Sequence, residues 1–452
     1  MSAARLSRTA AAPPVRIVHL GLGNFFRAHQ AWYTAAAPDS EDWGIAAFTG
    51  RSATLADALT GQDGLYTLVV RAAEGDTCEV IGSLAAAHPG AQLDAWYGYL
   101  TRPEVAVVTL TVTEAAYLRG ADGGLDADRP EVQADLAALR SDPRAAVVSI
   151  PARLVAGLAA RRAAEAGPVA VVSCDNLPEN GAVIARVVND FAALLDPSLA
   201  GWISGTVSFV TTMVDRITPA TTEDDIRSVA EQTGRADAAP VVTEPYTEWV
   251  LSGDFPGGRP AWDAAGARFV ADVTPYEQRK LWLLNGGHSL LAYAGSSRGH
   301  ETVDQAVADP QCRRWLEQWW DEAARHLPLP ADEISAYRAA LIERWSNPRI
   351  QHRLAQIAAD GSLKLPVRIL PVLRAERAAG RMPAGAVRAL AAWIGTLRGG
   401  GAPVKDAAAD TVVAAATGSP DEAVRRVLTH LDADLAADEA LLAEVESALD
   451  RP

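Results

Sequence analysis

The run VRIVHLGLGNFFR at residues 15–27 decides the fold of the first half of the chain. Its first six residues are mostly aliphatic and β-branched and predict a strand, and a helical pattern follows at 28–37. Gly21 and Gly23 form the turn between them. A strand that passes through a glycine turn into a helix presents backbone N–H groups to which a pyrophosphate can bind. The spacing matches G-x-G-x-x-G except that Phe26 stands at the third position, so a plain tight turn is the alternative.

Strand-like and helix-like runs alternate from this motif to about residue 221. Strands are predicted at 15–20, 44–48, 65–71, 78–81, 105–112, 169–174 and 206–214. Such alternation is typical of a mostly parallel sheet covered by helices. Beyond residue 222 the runs become helical and rich in Ala, Leu, Arg and Trp. We therefore predict an α/β plus α protein, with a flexible tail at 1–14, a Rossmann-type dinucleotide-binding domain at 15–221 and a mainly α-helical substrate and catalytic domain at 222–452.

Composition restricts the partners and the compartment. The chain has 452 residues, 49% of them hydrophobic, and a net charge of −15. This acidic balance argues against a nucleic-acid partner and against binding to an anionic membrane. The three cysteines show no C-x2-C pairing, which argues against a structural zinc site and favours a reducing compartment. The chain has no signal-peptide pattern and no 18-residue apolar run, so we expect a cytoplasmic protein that binds a small molecule.

The run YEQRKLWLLNGGH, which ends at His288, predicts a helix with one polar side. At 100° per residue, and with Lys280 at the origin, Glu277 lies near ~60°, His288 near ~80° and Asn285 near ~140°. The apolar run at 281–283 lies on the other side. A partly desolvated lysine can act as a general base near neutral pH, and an amide can donate to an oxygen that gains negative charge. This pattern favours an alcohol–ketone interconversion without a metal; the alternative is an amphipathic helix with a solvated face.

Polar residues after three other segments are further candidates. No carboxylate follows the strand at 44–48, and Arg51 stands there instead, which suits a ribose 2′-phosphate. Asn176 and Asp215 end two later strands, where ligands of open α/β sheets lie. The segment at 360–368 places two cations near a glycine between helices, and they are candidates to bind a carboxylate. Each candidate has a structural alternative. Arg51 would be a solvated surface residue, Asn176 a turn residue, Asp215 part of a structural ion pair, and 360–368 a surface loop.

Six motifs in this order resemble those of the mannitol dehydrogenase family, the polyol-specific long-chain dehydrogenases. They are HLGLGNFFRAHQ at 19–30, DGLYT at 63–67, LTVTE at 110–114, SCDN at 173–176, TMVDRITP at 212–219 and the helix with Lys280, Asn285 and His288. The resemblance extends over about 15–371. It implies a Rossmann-type domain followed by a mostly helical domain, and metal-independent hydride transfer to or from NAD or NADP.

The resemblance also implies a role for each matching residue. Lys280 would be the general acid/base, Glu277 would pass protons between Lys280 and solvent, and Asn176 and Asn285 would hold the reacting oxygen. The residues expected to contact the substrate are Asp215, His288, Lys364, Arg353 and Arg368. The residues expected to contact the cofactor are Gly21, Gly23, Asn24, Phe25, Arg27, Arg51 and Thr111.

Within the family, the sequence around Lys364 is more similar to hexuronate reductases than to polyol enzymes. Polyol members place an arginine eight residues before this lysine, where this chain has Gln356. We therefore expect interconversion of a fructuronate-like keto acid and a D-mannonate-like hydroxy acid. The alternatives are a mannitol- or arabinitol-type polyol 2-dehydrogenase, a relative that acts on a phosphorylated sugar, and a non-catalytic dinucleotide-binding sensor. The oligomeric state stays open, with a monomer among the alternatives.

Overall fold

The computed structural model describes residues 4–50 and 52–449. The chain divides into two compact units, Met1–Thr274 and Pro275–Pro452. The first unit contains the strands of the chain, and the second is built from helices.

The strands are β1 Ala4–Arg5, β2 Val15–Leu20, β3 Gly44–Phe48, β4 Tyr66–Ala72, β5 Gly75–Ile81, β6 Leu84–His88, β7 Val107–Leu110, β8 Val169–Ser173, β9 Val207–Asp215, β10 Arg235–Ala236, β11 Val241–Thr243, β12 Glu248–Ser252 and β13 Arg268–Phe269. The helices are α1 Asn24–Ala28, α2 Gln30–Ala36, α3 Thr54–Thr60, α4 Leu93–Leu100, α5 Pro130–Ser141, α6 Ile150–Ala163, α7 Asn180–Leu195, α8 Pro197–Thr206, α9 Glu223–Thr233, α10 Thr274–Arg279, a π-helix Lys280–Gly286, α11 Gly287–Ser297, α12 Val303–Ala308, α13 Pro310–Ala324, α14 Ala331–Trp345, α15 Leu354–Ile357, α16 Gly361–Arg368, α17 Leu370–Ala378, α18 Ala384–Leu397, α19 Ala409–Ala415, α20 Pro420–Leu431 and α21 Glu439–Leu449.

The main sheet has eight strands in the order β13-β12-β9-β8-β7-β2-β3-β6. Every neighbouring pair from β9 to β6 is parallel, while β12 runs antiparallel to β9. From β2 the chain moves outward through β3 to β6 and then returns to β7 on the other side of β2. Ligands of such sheets bind where the strand order reverses, outside the carboxyl ends of the strands. The predicted fold class, a Rossmann-type mostly parallel sheet followed by a helical domain, is confirmed.

Burial on both faces explains why these strands are continuous apolar runs. All residues of β3, β7 and β8 are buried, as expected for parallel strands covered by helices on both sides. One face packs on a cluster that includes Trp96, Val155 and Phe191. The other packs on a cluster that includes Phe26 and Trp249.

Two boundaries differ from those expected from the sequence. Residues 4–14 are not a flexible tail, because β1 pairs with β10, Leu6 is buried, and the Arg8 guanidinium donates to the carbonyl oxygens of Gly82 and Leu84. Residues 222–274, assigned to the helical domain from sequence, lie in the first unit. The reason is strand pairing, since β11 pairs with β4 and β12 pairs with β9.

The second unit is organised around α11, which contacts α18, α13 and α15. Its residues from Gly287 to Gly295 are all buried, which is typical of a core helix. Helices α20 and α21 are separate, because the Asp432 carboxylate accepts backbone N–H groups of Asp434 and Leu435 beyond the end of α20. One prediction differs in detail. The segment at 360–368 is helix α16 rather than a connection between helices. In the described part of the chain, no helix combines the length and apolarity needed to cross a membrane.

Candidate functional site

The glycine turn after β2 is fixed by the protein at Gly21 and left open at Gly23. Gly21 has φ +108°, and a Cβ there would lie 2.1 Å from the carbonyl oxygen of Thr111. The backbone N–H of Gly21 donates to Phe48, and the Thr111 hydroxyl donates to the Gly21 carbonyl over 2.9 Å. At Gly23 a Cβ would meet only the Gly21 oxygen, at 3.5 Å. The fold itself therefore requires the first glycine, whereas the second leaves space for a ligand to approach the backbone.

Phe26, which departs from the glycine motif, stacks on His19 of β2. The ring centroids are 3.6 Å apart and the planes differ by 11°. The two His19 nitrogens hydrogen-bond to the hydroxyls of Thr109 and Thr111. Burial lowers the pKa of His19 to about 3, so the ring is neutral at physiological pH. His19 thus supports the turn through Thr111, a role that was not predicted from the sequence.

Arg27 stabilises the glycine turn through hydrogen bonds. Its buried guanidinium donates to the Gly23 carbonyl over 3.3 Å, to the Asn24 side-chain oxygen over 2.7 Å and to the carbonyl of Ala239. These contacts within the protein make Arg27 and Asn24 supports of the turn. Phe25, by contrast, is only partly buried and lines a cleft.

Two clefts lie at the carboxyl ends of the strands. The first, of about 390 Å³, follows β7 and β8 and is lined by Phe25, Thr111, Val112, Thr113, Glu114, Cys174, Asp175, Asn176 and Leu177. The second, of about 350 Å³, follows β2 and β3 and is lined by Leu22, Thr49, Gly50, Ser52, Thr54, Leu55, Ala58 and Ala238. Both have the size of small-molecule sites. No carboxylate belongs to the described lining of the second cleft. Arg51, predicted to bind there, lies outside the described residues.

The loop that carries Asn176 is anchored by neighbours that the sequence analysis did not assign. Asn180 is fully buried, and its amide exchanges two hydrogen bonds of 2.9 Å with the backbone of Thr212. Asp175 accepts from the Tyr117 hydroxyl and from the Leu177 N–H. Asn176 itself is exposed. The loop therefore presents the Asn176 side chain from a fixed backbone; the signal in the sequence was a run of polar residues directly after a strand.

Asp215 ends β9 and is 4% exposed. Its backbone pairs with Glu248 across the antiparallel β9–β12 ladder. Arg216 beside it donates to the carbonyls of Ala28 and Glu244, and burial lowers its pKa to about 10. Arg216 is therefore a structural residue that ties β9 to α1, while Asp215 stands at the carboxyl end of the sheet.

In the second unit, the segment with Lys280 and Asn285 is a π-helix rather than the predicted α-helix. Two tryptophans of α13 donate hydrogen bonds to backbone carbonyls of this segment. Trp319 Nε1 donates to the Trp282 carbonyl over 2.9 Å, and Trp320 Nε1 donates to the Leu283 carbonyl over 2.9 Å. The adjacent glycines are required by packing, because a Cβ on Gly286 or Gly287 would lie 2.7 or 2.8 Å from a tryptophan ring. π-Helical turns are rare and occur frequently at functional sites.

The π-helix changes the relation between Lys280 and Asn285. Its hydrogen bonds run from i to i+5, so residues five apart lie nearly one above the other, whereas an α-helix would separate them by about 140°. Glu277, Lys280 and Asn285 are all partly buried. The π-helix therefore brings Lys280 and Asn285 closer to one side of the segment than the predicted α-helix would, and their role in catalysis stays a prediction. Leu281 and Trp282, expected to lie in the core, are also only partly buried.

Helix α16, which carries both predicted cations, contacts the π-helix. Arg368 donates to the Asn285 carbonyl over 3.3 Å and to the Ser289 hydroxyl over 3.2 Å. Lys364 donates to the carbonyl of Ile357 over 3.1 Å. Burial first and Arg368 second lower the pKa of Lys364 below its usual value of 10.5. His288 is 5% exposed, and burial, followed by His352, Arg344 and Arg368, keeps its pKa well below 6.5.

Arg353, predicted to help bind the substrate, does not join this group. Its guanidinium forms an exposed ion pair of 3.2 Å with Glu301. It lines a different cleft, of about 310 Å³, together with Leu354 and His300. The structure therefore favours Arg368 over Arg353 as the second cation.

One group of metal-ligand type occurs among the described residues, formed by His300, Asp309 and Cys312. Arg298 donates to Asp309 over 2.7 Å, and the other Asp309 oxygen caps the first turn of α13 through Gln311. An arginine on the same carboxylate opposes a second cation. We interpret this group as a helix cap with an ion pair.

Comparison with known proteins covers both units. Residues 15–264 match the mannitol dehydrogenase Rossmann domain, and residues 272–451 match the mannitol dehydrogenase C-terminal domain. The chain is 42% identical to the D-mannonate oxidoreductase of Escherichia coli K12, over 79% of this chain and 75% of that protein. It is 38% identical to a mannitol 2-dehydrogenase of Cereibacter sphaeroides, over 83% of this chain and 80% of that protein.

A solved structure has the same fold as this chain. The Pseudomonas fluorescens mannitol 2-dehydrogenase, in a ternary complex with NAD and D-mannitol, superposes with a TM-score of 0.81 at 33% identity, over 99% of this chain and 94% of that chain. Matches to both domains, identities of 33% to 42% and a shared fold lead to one conclusion: the chain belongs to the mannitol dehydrogenase family.

Proposed function

We propose that this protein, a nicotinamide-dependent dehydrogenase that acts on a CH–OH group, interconverts a fructuronate-like keto acid and a D-mannonate-like hydroxy acid. The observation that carries the substrate class is the pair of cations, Lys364 and Arg368, on the helix packed against the π-helix of Lys280 and Asn285. A substrate with a carboxylate forms ion pairs with such cations, in which both partners are charged, and a neutral polyol does not. The 42% identity to a D-mannonate oxidoreductase supports the same choice.

The chemistry assigned to the second unit needs one base and one donor. Lys280 in its neutral form takes the proton of the substrate hydroxyl as the carbon–oxygen double bond forms. Asn285, nearly above it on the π-helix, donates to that oxygen as it gains negative charge. Glu277, one turn earlier, passes the proton from Lys280 to solvent. Asn176 and Asp215 keep the roles that the family resemblance implies.

The first unit fits a nicotinamide dinucleotide on its own geometry. Gly23 leaves the backbone open where a Cβ would meet only one atom, which is the requirement for close approach of a pyrophosphate. A dinucleotide held there would supply the acceptor for the hydride that leaves the substrate carbon. The cleft after β2 and β3 offers Ser52 and Thr54 hydroxyls and no described carboxylate. We propose that both NAD and NADP are accepted, because a carboxylate is the usual group that repels a 2′-phosphate.

The polyol 2-dehydrogenase alternative is favoured by a specific finding, the 38% identity to a mannitol 2-dehydrogenase. Steady-state oxidation of D-mannonate, D-altronate, D-mannitol, D-arabinitol and D-sorbitol with NAD and with NADP separates the two. We expect kcat/KM to be highest for a sugar acid. A much higher value for D-mannitol than for D-mannonate would replace our proposal with the polyol activity.

A lysine substitution tests the reason for the preference. The chain has three lysines, Lys280, Lys364 and Lys405. Lys364→Met should raise the KM for D-mannonate about tenfold or more, since a hydrogen bond to a charged group contributes about 1.5–3 kcal/mol. It should change the KM for D-mannitol much less. Lys405→Met is the matched control, because that lysine is exposed, and both KM values should stay at wild type.

We also propose that the enzyme works in the cytoplasm. The support is chemical: Cys78, Cys174 and Cys312 are all free thiols. Free cysteines without disulfides are typical of a reducing compartment.

A further inference from the structure

Three tryptophans pack around the π-helix and the start of α11, and one of them has an indole N–H without a hydrogen-bond partner among the described residues. Trp319 and Trp320 donate to carbonyls of the π-helix. Trp345, at the end of α14, stacks on Trp320 with ring centroids 5.6 Å apart and is 3% exposed. Its Nε1 has no partner within the part of the chain that the structure describes. An indole N–H can only donate, and leaving a buried donor unpaired costs free energy, so an acceptor from outside the protein fits here.

Two imidazole nitrogens beside Trp345 are also unpaired. The rings of His288 and Trp345 have centroids 4.7 Å apart, and those of His288 and His352 are 4.9 Å apart. Nε2 of His288 and Nδ1 of His352 are buried without a partner among the described residues. Three unpaired nitrogens thus belong to one contact cluster, which we call the Trp345–His288–His352 cluster. Buried polar groups in proteins are nearly always paired, so three together indicate a ligand that supplies the partners.

The surroundings of this cluster are positive. Burial, then His352, Arg344 and Arg368, lower the pKa of His288, and burial and Arg344 lower that of His352. Among the groups that shift these two pKa values there are two arginines and no carboxylate. An unpaired donor in a positive environment favours an anionic oxygen over a neutral one. Arg368 also acts on Lys364, so the cluster and the proposed carboxylate-binding lysine share one cation.

We propose that the Trp345–His288–His352 cluster binds the carboxylate of the sugar acid, with Trp345 Nε1 donating to a carboxylate oxygen. Trp345 and His352 are then specificity-determining residues for the acid, in addition to Lys364 and Arg368. The inference rests on the proposed function, because a neutral polyol has no carboxylate to place there.

Trp345→Phe tests the proposal, since it removes the N–H and keeps an aromatic ring against Gly287 and His288. We expect only the modest fall in the unfolding temperature of the ligand-free protein that a smaller buried ring causes, because no protein hydrogen bond is lost. The KM for D-mannonate should rise about tenfold or more, and that for D-mannitol should stay within about twofold. His352→Leu should likewise raise the KM for D-mannonate and change the KM for D-mannitol little. Trp315→Phe is the matched control: it makes the same change in a buried tryptophan of α13 that contacts Arg298 and Arg388. Both KM values should stay near wild type.

Each other outcome is decisive. If Trp345→Phe and His352→Leu both leave the KM for D-mannonate unchanged, water fills the cluster and the inference is wrong. If Trp345→Phe lowers the unfolding temperature and weakens both substrates equally, Trp345 is structural and the inference is again wrong. If the wild type oxidises polyols but no sugar acid, the proposed function itself fails. The substrate panel on the wild type therefore separates a failure of the function from a failure of the cluster.

Discussion

A single methyl group at Gly23 should separate the needs of the fold from those of the cofactor. In the free protein, a Cβ at this position meets only the Gly21 carbonyl oxygen, at the ordinary contact distance of 3.5 Å. The backbone there is extended, with φ −148° and ψ −169°, so alanine adopts it without strain. If a pyrophosphate lies against this turn, the same methyl group occupies space that the ligand needs.

The expected magnitudes differ for folding and for binding. Alanine reduces the entropy of the unfolded chain, which stabilises by about 0.4–1 kcal/mol. It is a poorer N-cap than glycine for α1, which costs a similar amount, about 0.5–1 kcal/mol. The free energy of unfolding should therefore stay within about 1 kcal/mol of wild type. Forcing a methyl group into a filled contact costs about 1–3 kcal/mol, which weakens the Kd of the cofactor by about 5- to 150-fold.

The assay combines thermal unfolding of the ligand-free protein with fluorescence titration of NADH. Gly21→Ala is the opposite case: at φ +108°, and with a Cβ 2.1 Å from a backbone carbonyl, it should lose about 3 kcal/mol or more of stability. Gly201→Ala is the neutral control. Gly201 lies exposed on α8 with no atom near its Cβ position, so alanine should stabilise the helix slightly and leave the Kd unchanged. A Gly23→Ala protein that binds NADH within about twofold of wild type would refute the placement of the pyrophosphate.

Four shorter predictions follow from the same structure. Lys280→Ala should reduce kcat by a factor of roughly 100 to 10,000, the usual contribution of a general base, and near-wild-type turnover from about pH 6 to 10 would mean that another group is the base. Exhaustive dialysis against a chelator should leave kcat unchanged, because Lys280 supplies the base; a loss that zinc restores would contradict this. Arg51→Ala should raise the KM for NADP more than that for NAD, and equal changes would make Arg51 a surface residue. Arg381 and Arg325 bind the buried carboxylate of Glu376 and hold its pKa below the usual 4.5. The stabilisation from this charged carboxylate is present above pH 4.5 and is lost as the pH falls below it. In urea unfolding, Glu376→Gln should therefore lower the free energy of unfolding by about 1–3 kcal/mol at neutral pH and by progressively less in acid.

The predicted strands are mostly those of the structure, because their signal is local. Runs of mostly apolar residues predicted β2, β3, β8 and β9, and the strands predicted at 65–71 and 78–81 correspond to β4 and β5. The end of the first unit was placed too early. Strands β10 to β13 are short, and their pairing with distant β1, β4 and β9 leaves little trace in local composition.

Among the candidate site residues, the sequence predicted one helix for Lys280, Asn285 and His288. The structure places the first two on the π-helix and His288 on the following α11. The sequence could not show that α16 contacts the π-helix, nor that Arg353 turns to Glu301. The first contact joins residues 83 positions apart and the second residues 52 apart, and both depend on tertiary packing. His19, Asn180 and Trp345 were not assigned because histidine, asparagine and tryptophan are ordinary structural residues until their partners are known.

By itself the sequence determined the strand–turn–helix motif, the family resemblance and the identity of the residues proposed for chemistry, since these depend on residue type and short-range spacing. Only the tertiary structure decided the helical form of the Lys280–Gly286 segment. Its turn is widened where Trp319 and Trp320 of a distant helix donate to its carbonyls, and Gly286 and Gly287 admit the tryptophan rings. A hydrogen-bond ladder that shifts from i+4 to i+5 depends on those outside partners, and no periodicity in the segment itself encodes them.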